Sequence, residues 1–493
     1  MKLTLFKLFV LLAWPFATAS AADVNLKFGK PTKEEMQMTT YEADPEAEAV
    51  VLCRLTDVEY TVQLSGYLVD YREKFRIKVL KPDGAQYARF VIPYNKNMSA
   101  SSIGGSKFSL RALSINMGTM STSFDGAGGS MTEDALGNYT DESIEDLKAV
   151  AYNQEGSKVV KSSLKKGDVK NVKIDDQHYR MEFTVPDVKV GTVIECEYTI
   201  HSELFWQLRD WYAQCAIPVA YAKLDMNIPN YLLFNIEEQG IQRLQCTCTT
   251  GMMRYKLESD PLAAPVMVNT NHYVCVGSNF AAIPKLDGMW NVNDYCAGIT
   301  AELRRYSLRG TMQMDYAKTW DQVDQMILDS DDLGKRLSDH SLLADELKAA
   351  GVQNVADQRK RVEQVVQMVM SRVKWNGKYE LTPASPAETL KKGEGSNADI
   401  NLLIIQSLRD AGLTATPVLL RTRDLGQMPY NFPSIRKIST FAVGILLPGG
   451  GKGYLDASSA TGQINDLPKV MLVERARLIQ KGRKGEFVNL QKL

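Results

Sequence analysis

Along this chain the spacing of apolar residues changes about two thirds of the way through. From Ala49 to about Asn235 it is the spacing of strands. Ala49 to Leu55 is an apolar run, Lys74 to Leu80 alternates, and Tyr87 to Pro93 is again largely apolar. Turn sequences punctuate these blocks, at Pro82-Asp83-Gly84, Glu155-Gly156-Ser157 and Val190-Gly191, with the spacing of an antiparallel sandwich. Residues 242–258 and 270–277 predict two more, adjacent short strands. Residues 118–138 have no period, and the Gly126-Ala-Gly-Gly-Ser130 stretch inside them predicts a long loop. Glycine-rich loops can cradle phosphate, but no Lys-Ser/Thr or helix start follows this one, so it reads as a linker.

After about residue 315 the period becomes helical. Val362, Val365, Val366, Val369 and Val373 fall on one face and predict a helix from Asp357 to Val373. Residues 320–350 suggest one or two further helices. Beyond Asn397, the residues Ile400, Leu403, Ile404, Leu408 and Ala411 share a face, and Gly412 is placed to end that helix. Thr414 to Thr422, Ile438 to Leu447 and Tyr454 to Asp456 then read as strands. The expectation is a multidomain chain: an all-β, sandwich-like part over residues 23–305, then an α+β part over 306–493 with helices packed on a small antiparallel sheet.

The first 22 residues fit neither part. Lys2 and Lys7 flank an apolar run from Leu8 to Phe16, and small residues follow at Ala17, Ala19, Ala21 and Ala22, the pattern of an export signal cleaved near Ala21-Ala22. No Cys stands at that point to carry a lipid, and no later stretch approaches the roughly 20 apolar residues that span a bilayer. A periplasmic or secreted protein is expected. Charge narrows the partners: 58 Lys+Arg balance 58 Asp+Glu, so there is no cationic surplus to replace phosphate counterions, and nucleic acid is not an expected partner.

The scarce residues carry the candidate chemistry. All seven Cys precede residue 300 and no His follows His340. An odd number of Cys in an oxidising compartment leaves at least one thiol outside any intrachain disulfide. Cys246, Cys248, His272 and Cys275 have ligand-like spacing for zinc, but on adjacent strands they read more readily as buried cysteines or a disulfide. No cofactor is implied. Phe205, Trp206, Trp211 and Tyr212 could form a stacking platform for a ligand, although packing is the commoner use of such a cluster.

Two sets of segments carry a resemblance. Asp146 to Asn153 with Val159-Val-Lys161, Phe183 to Glu195, and Trp211 through Ile217-Pro218 resemble the β-rich domain of unknown function that precedes transglutaminase-like domains in exported bacterial proteins, over about residues 40–240. Val373 to Tyr379, Pro386 to Leu390, Lys392 to Leu403, Leu408 to Leu413, Pro417 to Arg423 and Tyr454 to Asp456, in that order, resemble a transglutaminase-like domain of the papain-type superfamily.

That resemblance implies a Cys at the start of the helix, where the helix dipole and free N–H groups favour thiolate, a His on the next long strand and an Asp on the one after. The family's Gly-x-Cys-x-Asp falls on Gly395-Ser396-Asn397-Ala398-Asp399, so Asn397 stands at the nucleophile position. The His position falls near Thr440, and Asp456 alone remains of the three. No shift of alignment restores the set, because residues 341–493 contain neither Cys nor His. An amide has no titratable lone pair at neutral pH. Asn397 suits a helix N-cap with Asp399 in the first turn, and Asp456 suits a turn cap or a pair with Arg421 or Arg423. Trp375, Tyr379 and Ser396 are placed to line the former cleft.

The expected function is a non-catalytic exported binding or scaffold protein, with a protein, peptide or glycan as its ligand. The alternative is a hydrolase or acyl-transfer enzyme that uses Ser396, or a site between the domains that draws on His178, His201 or His272.

Overall fold

The computed structural model describes residues 27–62, 67–96, 141–175, 177–255, 266–283, 289–308, 312–315, 319–447, 451–459 and 461–492. The export signal and the loop expected at 118–138 lie outside the described residues.

The first part is strand-rich and built on three sheets. The largest has eight strands in the order Gln245–Tyr255, Val266–Phe280, Val219–Pro229, Ala49–Val62, Tyr67–Val79, Val193–Ser202, Glu142–Glu155 and Lys158–Ser163. Its pairs are antiparallel except at the centre, where Ala49–Val62 runs parallel to Val219–Pro229. The purely antiparallel sandwich expected from the turns is therefore corrected at that pair. The turn signals themselves sit where strands reverse: Gly156 adopts φ +60° between Glu142–Glu155 and Lys158–Ser163, and Gly191 adopts φ +86° just before Val193–Ser202. A three-stranded sheet of Arg89–Asn95, His178–Thr184 and Lys170–Lys173, and a four-stranded one of Leu232–Gln239, Gly298–Leu308, Met312–Asp315 and Trp211–Tyr212, complete this part.

Its core takes three of the four aromatics that could have met a ligand, while Tyr212 is half-buried and lines a surface hollow. Phe205, Trp206 and Trp211 are all buried, the Trp211 indole N–H donates to the Thr56 hydroxyl at 2.8 Å, and Phe205 meets Trp206 edge-on. These residues pack the sheets together, as the commoner reading of the cluster has it.

The second part is α+β. The sheet order is Lys452–Leu455, Thr440–Leu446, Thr414–Leu420, Ala476–Leu478 and Glu486–Val488, antiparallel throughout. The helix Gln358–Arg372 follows its Asp357 cap and buries Val362, Val365, Val366 and Val369. The helix Asn397–Asp410 departs from the one-faced expectation, since every residue from Asn397 to Leu408 is buried. It is enclosed by the strands Thr414–Leu420 and Thr440–Leu446 on one side and by the helices Gln358–Arg372 and Pro386–Lys392 on the other. Burial on all sides obliges its polar side chains to find partners. Gln406 donates to the Arg336 carbonyl at 2.9 Å, and Ser407 shares a hydrogen bond with Ser341 at 2.8 Å. Gly412, at φ +77°, ends the helix.

The two parts meet through the segment 421–439. Arg436 pairs with Glu302 at 2.7 Å, the Ser434 hydroxyl donates to the same carboxylate at 2.9 Å, and Lys437 reaches Asp210 at 3.0 Å.

Candidate functional site

Asn397, Thr440 and Asp456 converge, and they converge into a filled space. Asn397 opens the central helix, Thr440 begins the strand beside it, and Asp456 follows the next strand; each is 0% exposed. The Asn397 amide shares its two hydrogens among the Thr440 hydroxyl at 2.7 Å, Asp456 Oδ2 at 3.1 Å and the Phe441 carbonyl at 3.3 Å. Its Oδ1 accepts the Glu380 N–H at 3.1 Å. Thr440 donates onward to the Glu380 carbonyl at 2.9 Å.

A fourth member was not singled out from the sequence. Asn401 Nδ2 donates to Asp456 Oδ2 at 2.6 Å and to the Phe441 carbonyl at 2.8 Å, while its Oδ1 accepts the Ala457 N–H at 3.0 Å. The signal was available: Asn401 lies four residues after Asn397, on the same helix face, within an otherwise apolar run. The remaining Asp456 oxygen accepts from the Ser458 backbone N–H at 2.8 Å and from the Ser458 hydroxyl. Burial pushes the Asp456 carboxyl above its ordinary range, against the pull of the Ser458, Asn401 and Asn397 donors.

One expectation is corrected here, and of the two alternatives for Asp456 the turn contact is the one found. The N-cap is Ser396, whose hydroxyl accepts the Asp399 N–H at 3.2 Å while Asp399 accepts the Ser396 N–H at 2.7 Å, a complete capping box. That leaves the Asn397 side chain free to turn inward. Asp456 makes the turn contact with Ser458 but no pair with an arginine: Arg421 Nε donates instead to the Leu425 carbonyl at 2.7 Å, and Arg423 lies over Trp290.

The other named residues fall as follows. Ser396 is 1% exposed and occupied as a cap. Trp375 packs against the core with its indole N–H on the Lys378 carbonyl at 2.9 Å, its ring centroid is 5.2 Å from that of Tyr379, and the Tyr379 hydroxyl meets Ser458 at 3.0 Å. Tyr379 thus reaches the polar cluster through Ser458, and Trp375 packs beside it. The imidazoles are held elsewhere: His178 by Asp175, His201 by Asp70, His272 by Asp225 and His340 by Asp410.

The ligand-like cysteine set does not assemble. Cys246 and Cys275 are joined in a disulfide across neighbouring strands, which removes two of the four donors, and His272 turns to Asp225. Burial pushes the Cys53 thiol up to about 12 and the Cys296 thiol up to about 11, so these groups stay protonated at neutral pH.

Chemically, the cluster at Asn397 can donate and accept hydrogen bonds and can hold a buried carboxylate. It supplies neither a nucleophile nor a proton acceptor of the imidazole kind.

The chain matches no family model and no curated protein. Among solved structures it is similar to one described as a "putative protease" from Parabacteroides distasonis, at 12% identity over 90% of this chain and 71% of that one, with a TM-score of 0.48. It is also similar to one described as a "putative cysteine protease" from Cytophaga hutchinsonii, at 13% identity over 57% of this chain and 83% of that one, with a TM-score of 0.18. At these TM-scores neither likeness carries an argument about this chain.

Proposed function

We propose that this is an exported, non-catalytic binding or scaffold protein whose second part is a transglutaminase-like domain that has exchanged its chemistry for a structural polar core. The observation that carries the reading is Asn397. At the position of a nucleophile stands an amide, fully buried, with every polar atom engaged by Thr440, Asp456, Phe441 and Glu380.

A residue spent in this way cannot attack a carbonyl, and no substrate atom could reach it without opening the core. The Cys246–Cys275 disulfide fits an oxidising compartment outside the cytoplasm. The hydrolase alternative has less to rest on. Ser396 has no imidazole partner, and the three histidines of the first part are each committed to a carboxylate of their own.

The test is turnover. Purified protein incubated with a casein-derived peptide pool and a primary-amine acceptor should yield neither cleaved nor cross-linked products by mass spectrometry. Products that disappear in Ser396→Ala protein would overturn the proposal.

A further inference from the structure

Where the two parts meet, a cleft of about 230 Å³ lies between the loop around Trp290–Tyr295 and the segment 421–428, with Arg475 at its side. A second hollow of about 280 Å³ adjoins it and shares Asn291, Asp294, Arg421, Gln427 and Arg475. Three guanidinium groups line the first hollow against two carboxylates, Asp294 and Glu474.

None of the three makes an ion pair, although Asp210, Asp294 and Asp424 act on Arg421, and Glu237 on Arg475, from a distance. Arg76 pairs with Glu195, Arg477 with Asp324 and Arg436 with Glu302, whereas the half-buried Arg336 and Arg361, like Arg421 and Arg475, donate only to carbonyls. Arg421 uses Nε on the Leu425 carbonyl at 2.7 Å and Arg475 uses Nη1 on the Met428 carbonyl at 3.2 Å, while Arg423 lies 4.9 Å above Trp290. Among the described residues no carboxylate comes within 4 Å of any of them. Partial burial lowers the Arg421 pKa from its ordinary value even though Asp210 and Asp294 favour its charge from a distance. A desolvated guanidinium that makes no ion pair and faces an open cleft is suited to an anion from outside, and its fork matches a carboxylate.

The remaining lining narrows the class of anion. Trp290 is 36% exposed and Tyr295 39%, so aromatic surface is offered beside the arginines, and Asn291, Gln427 and Gln491 add amides that can both donate and accept. Rings with polyhydroxylated edges and apolar faces suit that mixture. No residue lining this first hollow belongs to a strand, whereas the adjoining one is lined by Glu237 and Gln239 of the edge strand Leu232–Gln239, so the saccharide is assigned to the first hollow alone.

We infer that the cleft between the two parts binds a carboxylated saccharide, with Arg421 and Arg423 on uronate carboxylates and Trp290 and Tyr295 against sugar rings. This rests on the non-catalytic reading above and supplies its ligand class.

Isothermal titration of the full exported chain with trigalacturonate, neutral maltotriose and triglutamate tests it. Trigalacturonate should bind and maltotriose should not, and Arg421→Gln and Arg423→Gln should each weaken binding by at least about tenfold while keeping the thermal midpoint close to that of the parent. Absence of trigalacturonate binding, or binding untouched by both variants, overturns the site. Triglutamate binding as tightly as trigalacturonate overturns the saccharide assignment. Shortened trisaccharide recovered after the titration would instead overturn the non-catalytic reading and leave the binding site standing.

Discussion

Leu420 and Arg421 are adjacent in sequence and belong to opposite worlds. Leu420 pairs with Thr440 at the edge of the sealed cluster, where Asn397, Asn401 and Asp456 satisfy one another without solvent. Arg421 opens onto a cleft where charge is left for something else to answer. In the first region every polar atom has a protein partner, which is what a structural core requires. In the second, three guanidinium groups make no ion pair and face an open hollow, which leaves them available to an outside anion. The place that a family likeness marks for chemistry is the closed one.

The comparison can be broken hardest at Asp456. Asp456→Ala leaves the Ser458 N–H and one hydrogen of the Asn401 amide without an acceptor in a buried space, and should cost about 3–5 kcal/mol in denaturant unfolding. Asn397→Asp places a second carboxyl beside Asp456, at a contact now 3.1 Å long. It should destabilise by about 3 kcal/mol at pH 7, and part of that loss should return on acidification. The sign follows from both carboxyls being raised in the folded state: protonation is favoured by folding, so the stability is present at low pH and disappears as pH rises through the raised values.

Lys78 gives a smaller effect of the opposite sign. Burial lowers its ammonium to about 8, with Nζ donating to the Met36 and Gly191 carbonyls. A depressed lysine costs stability when charged, so the protein should gain stability between pH 8 and the ordinary lysine range, and Lys78→Met should flatten that rise in pH-dependent melting. At the cleft, Arg421→Gln should change the unfolding free energy by no more than about 1 kcal/mol, because it breaks one hydrogen bond to the Leu425 carbonyl and no ion pair; a loss several times larger would make Arg421 a structural residue like Asp456.

How much of this could be read beforehand differs between the two regions. The helix Gln358–Arg372 and the turns at Gly156, Gly191 and Gly412 were legible because period and turn chemistry are local. The absence of Cys and His after residue 340 was legible by inspection. The direction of the Asn397 side chain was misread, although Ser396 and Asp399 spell a capping box one residue earlier. The parallel pairing of Ala49–Val62 with Val219–Pro229 was not legible, since alternation says which face is buried and nothing about the neighbour. The cleft was equally hidden, because Trp290, Arg421 and Arg475 come from segments far apart in the chain and only the docking of the two parts brings them together.

On the proposed reading, the start of the helix Asn397–Asp410 is closed and inert. Intact-protein mass spectrometry after exposure to a fluorophosphonate, a reagent that labels activated serine, measures this directly. The account predicts an unmodified mass for the folded protein. A single phosphonyl adduct mapped to Ser396 and absent from Ser396→Ala protein would contradict it.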